Sequence, residues 1–273
     1  MSAVAEIRPG QSIELLKELH ILTRDGQLNQ DSRRKLKQVF HLCGFIEPLI
    51  NEVRAEGREP VLVDHGAGKS YLGFILHDLF LKASGGGEVH GIETRGDLVE
   101  RARALADRLG FSRMRFHGIS AADAIASADL PAHVDIVTAL HACDTATDDA
   151  LRFALARRAR FVVLVPCCQA EVAAALRAGK AAALSRSALG ELWRHPIHTR
   201  EFGSLVTNVL RCLLLESHGY RVSVTELVGW EHSMKNELIV ARREGAARGN
   251  ARERATRILE ELGLGELAGR FAY

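Results

Sequence analysis

The chain has 273 residues, 36 basic and 34 acidic side chains, and a formal net charge of +2, which by itself names no partner. Hydrophobic residues make up 47% and charged residues 26%, enough to bury a core and stay soluble. No apolar run reaches the length of a membrane span, the start lacks the basic-then-apolar pattern of a secretory signal, and five irregularly spaced cysteines exclude a disulfide framework, so a reduced cytoplasmic protein is expected.

In chain order, residues 12–22 read as a helix capped by Ser12. Asp25-Gly26 marks a turn, and Asp31 is expected to cap a longer helix carrying Leu36, Val39, Phe40, Cys43, Ile46, Ile50 and Val53 at helical spacing. Pro48 is expected to bend or break it. From residue 60 strands and helices alternate. Strands are predicted near 60–65, 88–93, 114–119, 133–140 and 160–166, and helices near 69–83, 95–109, 121–128, 146–158, 169–190 and 203–218. Alternation of this kind builds a parallel sheet with helices on both faces. Two β-rich runs at 220–228 and 236–241 then follow without a helix between them, which implies an antiparallel pair. The charged stretch 248–271 reads as one or two helices interrupted by Gly263, Gly265 and Gly269.

The strongest local signal is Val61-Leu62-Val63-Asp64-His65-Gly66-Ala67-Gly68-Lys69: a strand, an acid, and a tight glycine turn into a helix. A phosphate-binding P-loop would need glycine where Val63 stands, although Gly68-Lys69-Ser70 is present. A dinucleotide fingerprint would need a small residue where Tyr71 stands. The remaining pattern, acid-x-Gly-x-Gly at the carboxyl end of the first strand, lets backbone N–H groups approach a nucleotide-like cofactor with no Cβ in the way. Glu88-Val89-His90-Gly91-Ile92-Glu93 ends a second strand in an acid, the place from which doubly wound folds bind ribose hydroxyls. Ligands sit beyond the carboxyl ends of the strands, so Lys69, Tyr71, Ile119, Ser120, Leu140 and His141 join the candidate cofactor set. Tyr71 either covers the cofactor or packs in the core.

Parallel strands closed by an antiparallel hairpin resemble the sheet of class I S-adenosylmethionine (SAM)-dependent methyltransferases. Asp64-His65-Gly66-Ala67-Gly68-Lys69, Leu140-His141-Ala142-Cys143-Asp144, Val165-Pro166-Cys167-Cys168-Gln169 and Met234-Lys235-Asn236-Glu237 carry a more specific resemblance. They are similar to a branch of RNA methyltransferases with Leu-His-Ala-Cys and Pro-Cys-Cys motifs, over roughly 33–243. The chain lacks that branch's glycine between Cys143 and Asp144. The resemblance implies a doubly wound, seven-stranded, mostly parallel α/β sheet. It also implies SAM bound by Asp64, Gly66, Gly68, Glu93 and Leu140.

For the acceptor, two chemistries stay open. The layout of Cys167 and Cys168 after the fifth strand and Cys143 after the fourth resembles that of cytosine-5 RNA methyltransferases. There a thiolate adds to the pyrimidine, and His141 and the helix start after Gln169 would lower its pKa. The alternative reading is that the paired cysteines pack at the sheet edge as small buried hydrophobes. Ribose methylation would instead use a lysine beside a carboxylate, with Lys37, Asp144, Glu231 and Lys235 as candidates and Asn236 beside them. No metal is expected: His141, Cys143, Cys167 and Cys168 end adjacent strands, but no Cys-x-x-Cys is present.

The expected organisation is a helical N-terminal extension (1–58), a SAM-binding methyltransferase domain (59–244) and a C-terminal helical tail (245–273). The expected activity is methyl transfer to RNA, favoured by the resemblance and by basic clusters at 33–37, 157–160 and 242–257. A small-molecule methyltransferase and a non-catalytic SAM- or RNA-binding module are the alternatives.

Overall fold

The computed structural model describes residues 7–140, 142, 145–166, 169–178, 188–227, 237–247 and 249–272. Its centre is a seven-stranded sheet in the order β3-β2-β1-β4-β5-β7-β6. The strands are β1 (Val61–His65), β2 (Glu88–Ile92), β3 (Met114–His117), β4 (Ile136–Leu140), β5 (Phe161–Val165), β6 (Tyr220–Glu226) and β7 (Glu237–Arg243). All run parallel except β7, which is antiparallel to both β5 and β6. This is the sheet the sequence implies. Every residue of β5 is buried, in keeping with its unbroken apolar run and its central place.

The helices are α1 (Ile13–Glu18), α2 (Gln30–Ala55), α3 (Tyr71–Leu76, continued by a π-turn at His77–Leu81), α4 (Gly96–Arg108), α5 (Ala121–Ala126), α6 (Ala146–Ala156), α7 (Glu171–Arg177), α8 (Pro196–Ser217), α9 (Ala251–Glu261) and α10 (Ala268–Phe271). One sheet face packs on α1–α4 through Leu15, Ile46, Ile50, Phe74 and Phe161. The other packs on α5, α6 and α8 through Val63, Val137, Phe153, Leu214 and Leu215. A third cluster holds α7 to α10 together around Leu210, Leu259 and Phe271. The C-terminal helices are thus docked on α8. Among the described residues no helix is long and apolar enough to cross a membrane.

Several local expectations change. The cap of α2 is Asn29, not Asp31: its extended backbone lets the side-chain oxygen accept the Ser32 N–H at 2.8 Å. Pro48 does not end α2, which runs through it for 26 residues. Leu42, Cys43, Ile46, Leu49, Ile50 and Val53, all buried, hold both sides of the proline in one packed face, so tertiary packing outweighs the missing hydrogen bond. The helix predicted from 203 starts at Pro196, which stands in the first turn where a missing N–H costs nothing. The strand predicted at 114–119 ends at His117, leaving Ile119 and Ser120 in the connection. Of the helix expected at 169–190, Glu171–Arg177 is α-helical and Ala188–Trp193 forms a separate 3-10 helix.

The amino end of the sheet is clamped by charge. Asp135, fully buried, accepts the Val61 N–H at 3.0 Å and the Arg58 guanidinium at 2.8 Å. Burial opposes its ionisation, but these bonds hold its pKa below the usual value. Glu52 of α2 receives both Arg160, just before β5, and Arg242, near the end of β7. Helix α2 therefore ends at the amino edge of the sheet. At 1.5 Å per residue it rises about 39 Å, longer than any strand of the sheet.

Candidate active site

The strand order reverses at β1, with β2 on one side and β4 on the other, and this opens a crevice at the carboxyl ends. A cleft of about 400 Å³ lies there, walled by His65, Gly66, Glu93, Ile119, Ala142 and Asp149 among others. The turn after β1 is what shapes it. Gly66 and Gly68 have φ of +66° and +57°, a region costly for residues with a Cβ. A Cβ on Gly66 would stand 3.3 Å from that of Ala142, so the glycine keeps the β1 and β4 ends in close approach. Ser70 also takes a left-handed conformation, with φ of 54°, before α3 begins.

Glu93 organises the turn from the neighbouring strand. Its Oε2 accepts the Gly68 N–H at 2.8 Å, and Oε1 accepts the Arg95 N–H at 3.1 Å. The Arg95 side chain donates to both oxygens, Nε at 3.0 Å and Nη2 at 3.1 Å. Burial alone would raise the Glu93 pKa, but the Arg95 and Gly68 donors outweigh it and hold it at about 2. Glu93 is thus a fixed carboxylate. A ribose diol would share its lone pairs with the Arg95 fork, or displace that exposed side chain.

Asp64 is placed differently. It is 4% exposed, stands opposite Thr138 in the β1–β4 register, and accepts the Thr138 hydroxyl at 2.7 Å. Burial pushes its pKa up to about 7, against the pull of that hydrogen bond. His65 is buried beside Phe153, ring centroids 6.0 Å apart, and burial pushes it down to about 4, so it is neutral. Neither of its ring nitrogens has a hydrogen-bond partner among the described residues. An orphaned imidazole, two glycines without side chains and a fixed carboxylate around one cleft fit a nucleoside-bearing cofactor.

The other sequence-derived candidates are dispersed. Ile119 lines the cleft, whereas the Ser120 hydroxyl caps α5, accepting the Asp123 N–H at 3.2 Å and donating to its carboxylate at 2.6 Å. Leu140 and Tyr71, both partly buried, pack on the α1–α4 core. Lys69 faces a separate groove of about 280 Å³ with His20, Arg101 and Arg108. Lys37 lies on α2 with Arg33, Phe40 and His41. His141, Cys143, Asp144, Cys167, Cys168, Glu231, Lys235 and Asn236 lie outside the described residues. Among the described residues no three His, Cys, Asp or Glu side chains cluster as a metal site.

Sequence reasoning passed over His65, Thr138, Arg95, Ala142 and Asp149. The signal for His65 was strand alternation, since Val61, Val63 and His65 share one face of β1. Asp149 stands on the first turn of α6, and burial raises its pKa against the nearby Arg152.

No curated protein sequence matches the chain. Among solved structures it is similar in fold to a magnesium protoporphyrin IX methyltransferase from Synechocystis PCC 6803 with bound S-adenosylhomocysteine (SAH), at 16% identity and a TM-score of 0.43, over 84% of this chain and 94% of that one. A precorrin-6y C5,15-methyltransferase from Geobacter metallireducens is 17% identical with a TM-score of 0.41, over 68% and 81%. An rRNA methylase from Streptococcus thermophilus is 8% identical with a TM-score of 0.41, over 68% and 87%. The acceptors those names carry are their own. The methyltransferase-domain family matches residues 34–175, just over half of this chain. The chain therefore belongs to the methyltransferase-domain family and is a SAM-dependent methyltransferase.

Proposed function

We propose that this methyltransferase acts on RNA. The observation that carries the reading is the groove of about 570 Å³ on the first half of α2, lined by Arg33, Leu36, Lys37, Phe40 and His41. These residues repeat at helical spacing, so cations and flat rings share one helix face. In this reading that face is turned toward the carboxyl edge of the sheet, where acceptors enter. Cations that meet phosphates, interleaved with rings that stack on bases, are the chemistry of single-stranded RNA contact.

In this reading Glu93 takes the ribose of SAM, the Gly66–Gly68 turn admits the cofactor backbone-close, Ile119 lines its cleft, and Asp64 stands at the root of the turn, while Lys69, Tyr71, Ser120 and Leu140 support the cleft from outside it. Bound SAM supplies an electrophilic methyl on a sulfonium. His141, Asp144, Cys167 and Cys168 act on the acceptor, and Lys37, Glu231, Lys235 and Asn236 bind it.

The test is transfer of tritiated methyl from SAM to total RNA. Labelled RNA is expected, with transfer weakening as salt rises because phosphate contacts release counterions. Label appearing only in small molecules, at a rate indifferent to RNA and salt, would overturn the reading. Cys168→Ala tests its role: loss of transfer with SAH binding intact assigns Cys168 as a thiolate nucleophile, and full retention leaves Cys168 structural.

A further inference from the structure

Beyond the cofactor cleft, the connections after β4, after β5 and before β7 leave the same edge of the sheet. One buried polar chain joins their roots. Arg211 of α8 grips Asp148, in the first turn of α6, with Nε to Oδ1 at 2.6 Å and Nη2 to Oδ2 at 3.0 Å. Its Nη1 donates to Asn208 Oδ1 at 3.1 Å, and the same oxygen accepts Gln169 Nε2 at 2.9 Å. Asn208 Nδ2 donates to Glu237 Oε2 at 2.6 Å, and Ser204 Oγ donates to Gln169 Oε1 at 2.6 Å. Ser204, Asn208 and Arg211 follow i, i+4, i+7 spacing and so form one stripe of α8. Arg211 is 1% exposed and Asn208 3%.

This stripe lies in a helix otherwise buried through Val206, Leu210, Leu213, Leu214 and Leu215. A buried ion pair adds little net stability over apolar residues of the same volume. What a fully satisfied polar chain supplies is a single geometry. Its anchors stand where geometry matters: Gln169 directly follows Cys168, Glu237 directly follows Asn236, and Asp148 is four residues past Asp144. Thr147, next to Asp148, donates to the Ala142 carbonyl at 2.6 Å, which ties the connection after β4 to the same turn. At Gly203 a Cβ would come within 2.7 Å of the Ala173 nitrogen, so α8 is pressed on α7, the helix that opens after Gln169. Arg270 of α10 adds a brace, with Nε 2.7 Å and Nη2 3.0 Å from Glu171.

We propose that Asn208 and Arg211 are positioning residues for methyl transfer. Through Gln169, Glu237 and Asp148 they fix the roots of the three acceptor-side connections relative to one another, and they touch neither cofactor nor acceptor. The inference rests on the reading that those connections carry the acceptor chemistry.

The test compares full-length wild type with Asn208→Leu and Arg211→Lys by hydrogen exchange, SAH calorimetry and methyl transfer to total RNA. Exchange is expected to quicken by about ten-fold or more, together, in peptides covering 141–147, 166–170 and 227–238. Peptides covering 61–70 should be unchanged, SAH affinity should stay within about three-fold, and kcat should fall with KM for SAM unmoved. Faster exchange confined to α8, or spread evenly over the chain, would overturn the proposal and leave the stripe as packing. If Asn208→Leu does not fold, Arg211→Lys, which keeps the charge and loses the fork, carries the same test. Wild type that methylates no RNA overturns the acceptor reading alone, because the exchange pattern decides the positioning role without an acceptor.

Discussion

Glu93 reaches Gly68 across 25 residues of chain, whereas Arg211 reaches Asp148 across 63 and Gln169 reaches Asn208 across 39. The first contact shapes the cofactor half of the sheet edge, the others the half proposed to receive the acceptor. The cofactor half is made by two adjacent strand ends and the turn between β1 and α3. The acceptor half is braced by a helix that arrives only after all five leading parallel strands are in place. A cofactor common to many enzymes can be held by a short local pattern, whereas on the proposed reading the acceptor's geometry would be set by ties between distant elements.

The largest expected effect breaks the acceptor half alone. Arg211→Met leaves Asp148 buried without its bidentate partner, and should cost about 3–5 kcal/mol in denaturant unfolding. Calorimetry on the folded variant should find SAH affinity unchanged. A parallel loss of affinity would mean that the two halves are not separate. Next comes Glu93→Ala, which removes the acceptor for Gly68 and the expected ribose site. SAH binding should weaken by about 2–3 kcal/mol, with a much smaller change in stability because the Arg95 partner is exposed.

Gly66→Ala sharpens the comparison further. A Cβ at φ of +66° carries strain of about 1–2 kcal/mol and crowds Ala142, so affinity for SAH should fall while exchange at 227–238 stays as in wild type. The smallest effect is in pH. Asp64 has a folded pKa of about 7 against 3.8 as its ordinary value, so the native state holds a proton that the unfolded chain releases. Stability from this group is therefore fully present below about pH 4 and lost progressively as pH rises to about 7, with on the order of 1 kcal/mol of that loss falling between pH 6 and 8. Thermal melts of Asp64→Asn should lack that slope. Glu93, held at about 2, has the opposite sign and acts only at strongly acid pH.

The legible part of the site follows the same division. The run Val61–Val63 before Asp64, the two glycines, and the acid closing β2 all act over a few residues, and sequence alone placed them. Asn29 and Asp31 are both competent caps, and the choice between them depends on where the backbone turns extended. Pro48 reads as a break because its cost is local, while the buried residues on both sides of it are paired with strands far along the chain. Arg211 is the one charge between Phe202 and Leu215, but nothing near it in sequence names Asp148 as its partner. His65 and Asp149 meet at the cleft only because β1 and α6 are brought together by the sheet.

Glu52 is held by Arg160 and by Arg242, which lie 108 and 190 residues further along the chain. Synthesis at about 5–20 residues per second therefore leaves a delay of roughly 10–40 s between the emergence of Glu52 and that of its last partner. Helix α2 can coil early, but throughout that interval its apolar face, Leu42 through Val53, has no complete sheet to cover. Stalled nascent chains ending before β7 should accordingly bind chaperones that capture apolar segments, and release should follow once residue 243 has cleared the ribosome. The family-matched stretch closes at residue 175, so the portion of the chain beyond it sets when the N-terminal helix can stop being a chaperone client.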